Sequence, residues 1–455
     1  MAIKTQKIAI IGGGLTGLSL AFKLQQLGIS YLLIEKNTTL GGVIKTIEKD
    51  GFVYEQGPNT GVLSTVEAVE LFEASNCPVE IANPDAANRW ILKDGHWVAL
   101  PGGFWGGVST PLFSFKDKLR LLGEPFRKKG NKPMETLSEL VVRRMGKSFL
   151  DYAVDPFISG IYAGDPDQLI TKYAMPKLYQ LEQDYGSFIK GAIKKSRLPK
   201  TEMEKKVTKA VFSAKGGLIN LVESVATKLN PEDLHTDSEL IKVSKNVNGY
   251  QLNVKQGNEF RTFEATQIVT TSGGHFLKNL FDFIEPERFS DILQLRYAKI
   301  VQLAVGFNKW HGMQLNAFGG LIPEKEKRQL LGVLFPGSIF PNRTPEGGAL
   351  MSVFMGGIKK PALYEKTDDE IKAIALNELR LLFNDDKLTP DLFELFRYQQ
   401  AIPQYDSSSP ARLKAIETIE KAHPGIYLAG NIRDGIGMAD RIKQGFQIAE
   451  TIAKS

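Results

Sequence analysis

The sequence predicts a mixed α/β fold, α/β with α+β character, and three observations carry that reading. The opening residues alternate strand, glycine turn, helix and strand. Residues 240–269 turn to alternating strands with hairpin signals at Asn248-Gly249 and Gly257-Asn258, and the last residues return to strand, glycine turn and helix. A length of 455 residues implies two or three domains at about 100 to 200 residues each. Hydrophobic content of 42%, charged content of 24% and 43 glycines against 22 prolines exclude disordered, collagenous and disulfide-dense chains. The single cysteine, Cys77, excludes an internal disulfide and a multi-cysteine metal site, and favours a reducing compartment.

At the amino end, residues 7–11 read as a short apolar strand. Leu20, Leu24 and Leu27 then fall on one helical face, and Gly28 stops the helix. Residues 31–35 are again β-rich, so the unit is βαβ with a parallel second strand. Glycines at 12, 13, 14 and 17 break the apolar stretch 8–22, which argues against a signal peptide. No run reaches the roughly 18 to 20 apolar residues of a membrane span, so the expected location is the cytoplasm, at most with attachment to the inner membrane face. Lys116, Lys118, Arg120, Arg127, Lys128, Lys129 and Lys132 form a basic helical stretch with Phe113, Phe115 and Phe126 nearby, which suits weak peripheral association with anionic lipid as well as it suits a solvated face. A formal charge of +6 without a groove-reading motif points away from nucleic acid.

Gly12, Gly14 and Gly17 spell G-x-G-x-x-G between the first strand and helix, where the backbone can approach a pyrophosphate at the helix N-terminus. Glu35, 21 residues past Gly14, stands where a carboxylate can accept from ribose hydroxyls. This unit serves NAD and FAD alike. Gly41-Gly42 allow a second close approach to the phosphates, and 55–60 (EQGPNT) follows soon after. A carboxy-terminal strand, 426–429, leads through Gly430, Gly435 and Gly437 into a helix near Ala439, whose N-terminus can face the pyrimidine end of a flavin. A nicotinamide cofactor needs no partner motif at the far end of the chain, so the pairing favours FAD. The only cysteine is far from that segment, which favours a non-covalent flavin.

In these residues the sequence resembles the FAD-dependent amine oxidase superfamily, on 8–17, 40–42, 55–58 and 425–445, and within it the protoporphyrinogen oxidase family. The narrower match rests on 157–165 (FISGIYAGD), 318–323 (FGGLIP) and 402–405 (IPQY). The resemblance implies a Rossmann-like FAD-binding domain from segments 1–78, 213–275 and 410–455. It implies a mixed-sheet substrate domain from 79–110, 181–212 and 276–409, and a helical, membrane-associating lobe at 111–180. It carries further flavin contacts onto Leu15, Thr16, Lys36, Val43, Gly57, Pro58, Asn59, Thr60, Leu240, Ile436 and Met438. Asn59 stands where other members carry arginine or aspartate.

The implied reaction removes six electrons from a porphyrinogen in three hydride transfers to flavin, with O2 as the electron acceptor and hand-over of product to a ferrochelatase. Slot-lining positions fall on Phe318, Leu321 and Phe354, or on Met355 if the register slips by one. The close-approach glycine falls on Gly160, and the propionate-binding arginine on Arg89 in the strand before the Asp94-Gly95 turn. His96, His235, His275, His311 and His423 show no triad or metal-ligand spacing, so no metal is expected and no acid or base is assigned. A coproporphyrinogen III oxidase of the same type shares all these motifs. An amine oxidase shares fewer, and a non-catalytic flavoprotein carrying tetrapyrrole is the alternative from another class.

Overall fold

The computed structural model describes residues 5–102, 106–107, 109–199 and 201–454. Two seven-stranded sheets organise them. The first has the order Leu234–His235, Tyr31–Ile34, Thr5–Ile11, Glu259–Thr270, Gly249–Gln256, Ser238–Asn246, with Ile426–Leu428 also paired to Glu259–Thr270. Its strands pair in parallel around Thr5–Ile11, because a helix returns the chain after that strand, and antiparallel through the two expected hairpins. Helices cover both faces. Leu15–Gln26, Val66–Ser75, Ile219–Ala226 and Met438–Lys454 share one core with Ile8, Ile10 and Leu33, while Ser409–Ala422 and Gly274–Leu280 share the other with Ala9, Ile11 and Leu32. The alternation of Ile8, Ala9, Ile10 and Ile11 between the two cores is the period-two signature of a strand buried on both sides.

The second sheet has the order Leu392–Pro403, Tyr297–Phe307, Ala349–Gly356, Leu330–Leu334, Gly319–Leu321, Arg89–Lys93, His96–Ala99. One face packs on helix Asp368–Phe383 through Val301, Leu303, Met351, Val353 and Met355. That helix opens on a capping box of Thr367 and Glu370. The other face packs on Phe52 and Tyr54 of the hairpin Lys45–Lys49/Phe52–Gln56 and, further along, on Ala163.

Short helices run from Phe115–Leu122 to Glu202–Lys206, well past residue 180. They are knotted together by fully buried Arg144, which bonds Glu124 at 2.8 Å and Glu182 at 2.5 Å. Burying these charges is tolerable only because each is paired. A π-helical turn, Leu150–Val154, leads into helix Asp155–Ile161, which lies over the second sheet.

Candidate functional site

The first glycine turn has the geometry its spacing predicts. Gly12 sits at φ +104°, and a Cβ on Gly17 would fall 2.0 Å from the Gly12 carbonyl, so both are held to glycine by the tight turn and by helix–strand contact. A Cβ on Gly14 would meet nothing within 4 Å, which leaves the approach to the helix open. Helix Leu15–Gln26 has no side-chain cap and no acid in its first turn, so its N-terminal amides are available to an anion. Leu15 and Thr16 are buried beneath that opening. Glu35, 6% exposed, accepts from Gly13 N at 2.7 Å and from Asn37 N at 2.9 Å. Gly41 N donates to Gly13 O at 2.8 Å, and a Cβ on Gly42 would lie 3.2 Å from Gly14 Cα. The two glycine pairs therefore form one cradle, and its donors and open space fit a dinucleotide pyrophosphate. Beyond Glu35, Lys36 lines a polar cavity of about 320 Å³ with Asn37, Asp237, Glu239 and Lys255. Leu240, half-buried, packs against the sheet core next to Glu239.

The carboxy-terminal turn meets this cradle through a residue that sequence reasoning missed. Thr271 Oγ1 donates to Ile11 O at 3.1 Å, and the Thr271 carbonyl would lie 2.5 Å from a Cβ on Gly430. Arg441 gathers the turn by donating to the carbonyls of Arg433 and Gly435, each at 3.0 Å. Burial pulls its guanidinium below the usual range, with Tyr405, Asp440 and Asp434 opposing the shift. Tyr405 OH receives Gly435 N at 2.9 Å and donates to Gly435 O at 3.2 Å. Burial pushes that phenol up, so it keeps the proton it donates. Ile436 packs on the helical lobe, Gly437 is exposed, and buried Met438 starts the last helix. Asp440 in that helix's first turn accepts from Gly437 N at 3.1 Å, so a fixed negative charge partly offsets the helix field there.

Residues 57–60 close the third side. Gly57, at φ +111°, would drive a Cβ to 2.2 Å from the Val43 carbonyl, which places the turn against Val43. Asn59 is nearly buried and accepts from Ser352 Oγ at 2.6 Å, while Pro58 and Thr60 are half-buried beside it. Asn59 therefore spends its amide oxygen on the second sheet. Upstream, Glu55 is buried. Burial raises its carboxyl, against the bonds it accepts from Leu218 N and Thr46.

Register in the second sheet brings Arg89, Leu321 and Phe354 onto the face turned toward these turns. Arg89 pairs with Gly319, Ile91 with Leu321, Leu321 with Gly332, Gly332 with Phe354, and Phe354 with Gln302. Paired residues share a face. Leu321 and Phe354 thus flank Gly332, a residue with no side chain that the sequence reading did not single out. Met355 is fully buried in the opposite core, and this corrects its inclusion among the slot residues, since strand alternation points it away from Phe354.

A Cβ on Gly160 would lie 2.6 Å from Leu321 Cδ2, so helix Asp155–Ile161 lies directly over that gap. Phe157 and Ile161, 39% and 43% exposed, border Gly160 on the same helix. Arg89 is exposed, with its guanidinium 5.2 Å from the ring of half-buried Phe318 and no carboxylate partner among the described residues. The helix is pinned by Gln404 Nε2 to Tyr162 O at 2.9 Å, by Lys359 to Asp155 at 2.5 Å, and by Ile358 N to Ala163 O at 2.8 Å. Ala163 sits in the left-handed region at φ 44°, a strained conformation for a residue with a Cβ. The pair Gln404-Tyr405 therefore ties helix Asp155–Ile161 and the carboxy-terminal glycine turn to one strand end.

Comparison with known proteins agrees with this geometry. The family model for flavin-containing amine oxidoreductases matches residues 15–453. The chain is 28% identical to protoporphyrinogen oxidase 2 of Arabidopsis thaliana over 99% of its own length and 94% of that protein's. It is 26% identical to coproporphyrinogen III oxidase of Bacillus subtilis (strain 168) over 96% of each. A crystal structure of an Exiguobacterium sp. 255-15 protein, provisionally named a protoporphyrinogen oxidase, superposes with a TM-score of 0.81 at 21% identity over all of both chains.

Proposed function

The chain belongs to the flavin-containing amine oxidoreductase family, with FAD as the cofactor its pyrophosphate cradle fits, and on that premise we propose that it oxidises protoporphyrinogen IX to protoporphyrin IX. Bound FAD supplies hydride acceptance, and O2 takes the electrons back. Over three turnovers the substrate loses six hydrogens, and three O2 become three H2O2. The observation that carries this reading is the surface around Gly332. A flat macrocycle needs a wide apolar face without protruding side chains, and here Leu321 and Phe354 flank a glycine beneath Gly160. Arg89, free of carboxylate partners among the described residues, lies on the same face, where it can hold a propionate. Positioning of the carbon bridge is what this chain contributes to hydride transfer, each hydride leaving with loss of a proton for which no residue is assigned.

Coproporphyrinogen III is the second reading, favoured by the Bacillus subtilis relative at matching coverage. Supplying each porphyrinogen in air and following porphyrin fluorescence separates the two, and no porphyrin above the uncatalysed rate from either defeats both.

We also propose that the segments assigned to the flavin, substrate and helical parts act as such, and that the protein works in the cytoplasm, peripherally on the inner membrane face, where it hands product to a ferrochelatase. Among the described residues no helix is long and apolar enough to cross a membrane. The docking surface would be Phe115, Leu119, Leu122 and Phe126, which are 52% to 86% exposed beside Lys116. Phe113, expected on that surface, is instead buried and stacked on Phe149 with ring centroids 3.9 Å apart. Leu119 and Leu122 take its place.

A further inference from the structure

Gln302 lies in strand Tyr297–Phe307 at 1% exposure, among valines and leucines, yet its amide is directed at another segment. Its Oε1 accepts from Gly57 N at 3.1 Å and from Tyr398 OH at 3.2 Å, and its Nε2 donates to Glu55 O at 2.9 Å. One side chain thus takes the N–H and the C=O that an adjoining β-strand would take from residues two apart. Strand Phe52–Gln56 ends at that point, and the chain turns through Gly57 toward Asn59. On the neighbouring strand, fully buried Ser352 holds Asn59. The turn is therefore suspended between two buried polar side chains of the second sheet.

Gln302 is also the direct cross-strand partner of Phe354. A buried amide in an apolar sheet is costly unless bonded, and an aliphatic residue would serve packing alone.

We propose that Gln302 is a positioning residue for the flavin: it fixes residues 55–59 to the strand pair carrying Phe354, so that the flavin edge and the substrate face keep one register. Tyr398 steadies the Gln302 amide from the third strand. The inference rests on the assignment of residues 57–60 to the flavin and is independent of which substrate the slot takes, because its readouts need no substrate.

The test titrates FAD into apoprotein of wild type, Gln302→Leu, Gln302→Glu and Tyr398→Phe, and records the flavin visible bands and amide exchange across residues 55–60. Loss of both bonds to the backbone of residues 55–57 in Gln302→Leu should weaken FAD binding about tenfold, shift the bands and speed that exchange. Gln302→Glu keeps the acceptor for Gly57 and loses the donor to Glu55, so it should recover part of the loss. Tyr398→Phe leaves both backbone bonds in place but loosens the amide, so its FAD affinity should fall between wild type and Gln302→Leu. A Gln302→Leu protein with a lower melting temperature but unchanged affinity, bands and exchange would overturn the proposal and leave Gln302 a core residue. If Gln302→Leu does not fold, Ser352→Ala releases the same turn from its other side. It should then change affinity, bands and exchange in the same direction, and no change in any of them overturns the proposal equally.

Discussion

Replacing Arg89 with alanine removes the guanidinium proposed to hold a substrate propionate. Among the described residues its partner is the Phe318 ring at 5.2 Å, an exposed cation–π contact of about 0.5 to 1 kcal/mol. The stability cost of Arg89→Ala is therefore small, a few degrees of melting temperature at most. A charge-assisted hydrogen bond to carboxylate contributes roughly 1.5 to 3 kcal/mol, which corresponds to about a ten- to hundredfold rise in KM. The propionate is remote from the reacting bridge and held alike in ground and transition states, so kcat should barely change. Arg89→Lys should recover part of the loss, because an ammonium can offer a point charge but not a planar fork. The assay is steady-state porphyrin formation by well-folded, fully flavinated protein. An unchanged KM in Arg89→Ala would refute the assignment, and the propionate would then have another cation.

Four further outcomes follow from the same geometry. Gly160→Val should lower kcat/KM for porphyrinogen at least about tenfold with FAD affinity unchanged, since its side chain would enter the space at Leu321 Cδ2, and equal kcat/KM would contradict that placement. Phe354→Ala should raise KM, whereas Met355→Ala should cost about 2 to 5 kcal/mol in chemical denaturation and leave KM alone, and the reverse effects on KM would restore Met355 to the slot. Denaturation should release FAD intact, because Cys77 is buried against Asn220, and colour remaining on the polypeptide would contradict the non-covalent claim. Flotation with anionic vesicles at low salt should be weakened in a Leu119→Ser, Phe126→Ser double variant, and equal flotation of both proteins would remove that surface from consideration.

The parts legible in the sequence are those fixed within a few residues. Gly12 and Gly17 announce their turn because Gly12 takes a left-handed φ and its carbonyl leaves no room for a Cβ on Gly17, and both hairpins followed from their turn residues. The parts that escaped depend on register between distant strands. Gln302 reads as an ordinary polar residue in an apolar strand until Glu55 and Gly57 are laid beside it. Gly332 gains meaning only once Leu321 and Phe354 flank it, and Phe354 could be told from Met355 only by pairing with Gln302. Thr271 was hidden for the same reason, since it joins two glycine turns from opposite ends of the chain. The basic lobe shows the reverse case. Its composition was plain, but its packing decided that Phe113 turns inward and Leu119 outward.

The central claim is that this flavoprotein takes hydride from a porphyrinogen held against the second sheet. Mixing the oxidised, flavinated protein with protoporphyrinogen, coproporphyrinogen or a primary amine under anaerobic conditions tests it most directly. The account requires the visible flavin band to bleach with a porphyrinogen, to persist with the amine, and to return when O2 is admitted. Bleaching by the amine and by neither porphyrinogen would contradict it and make the slot an amine site.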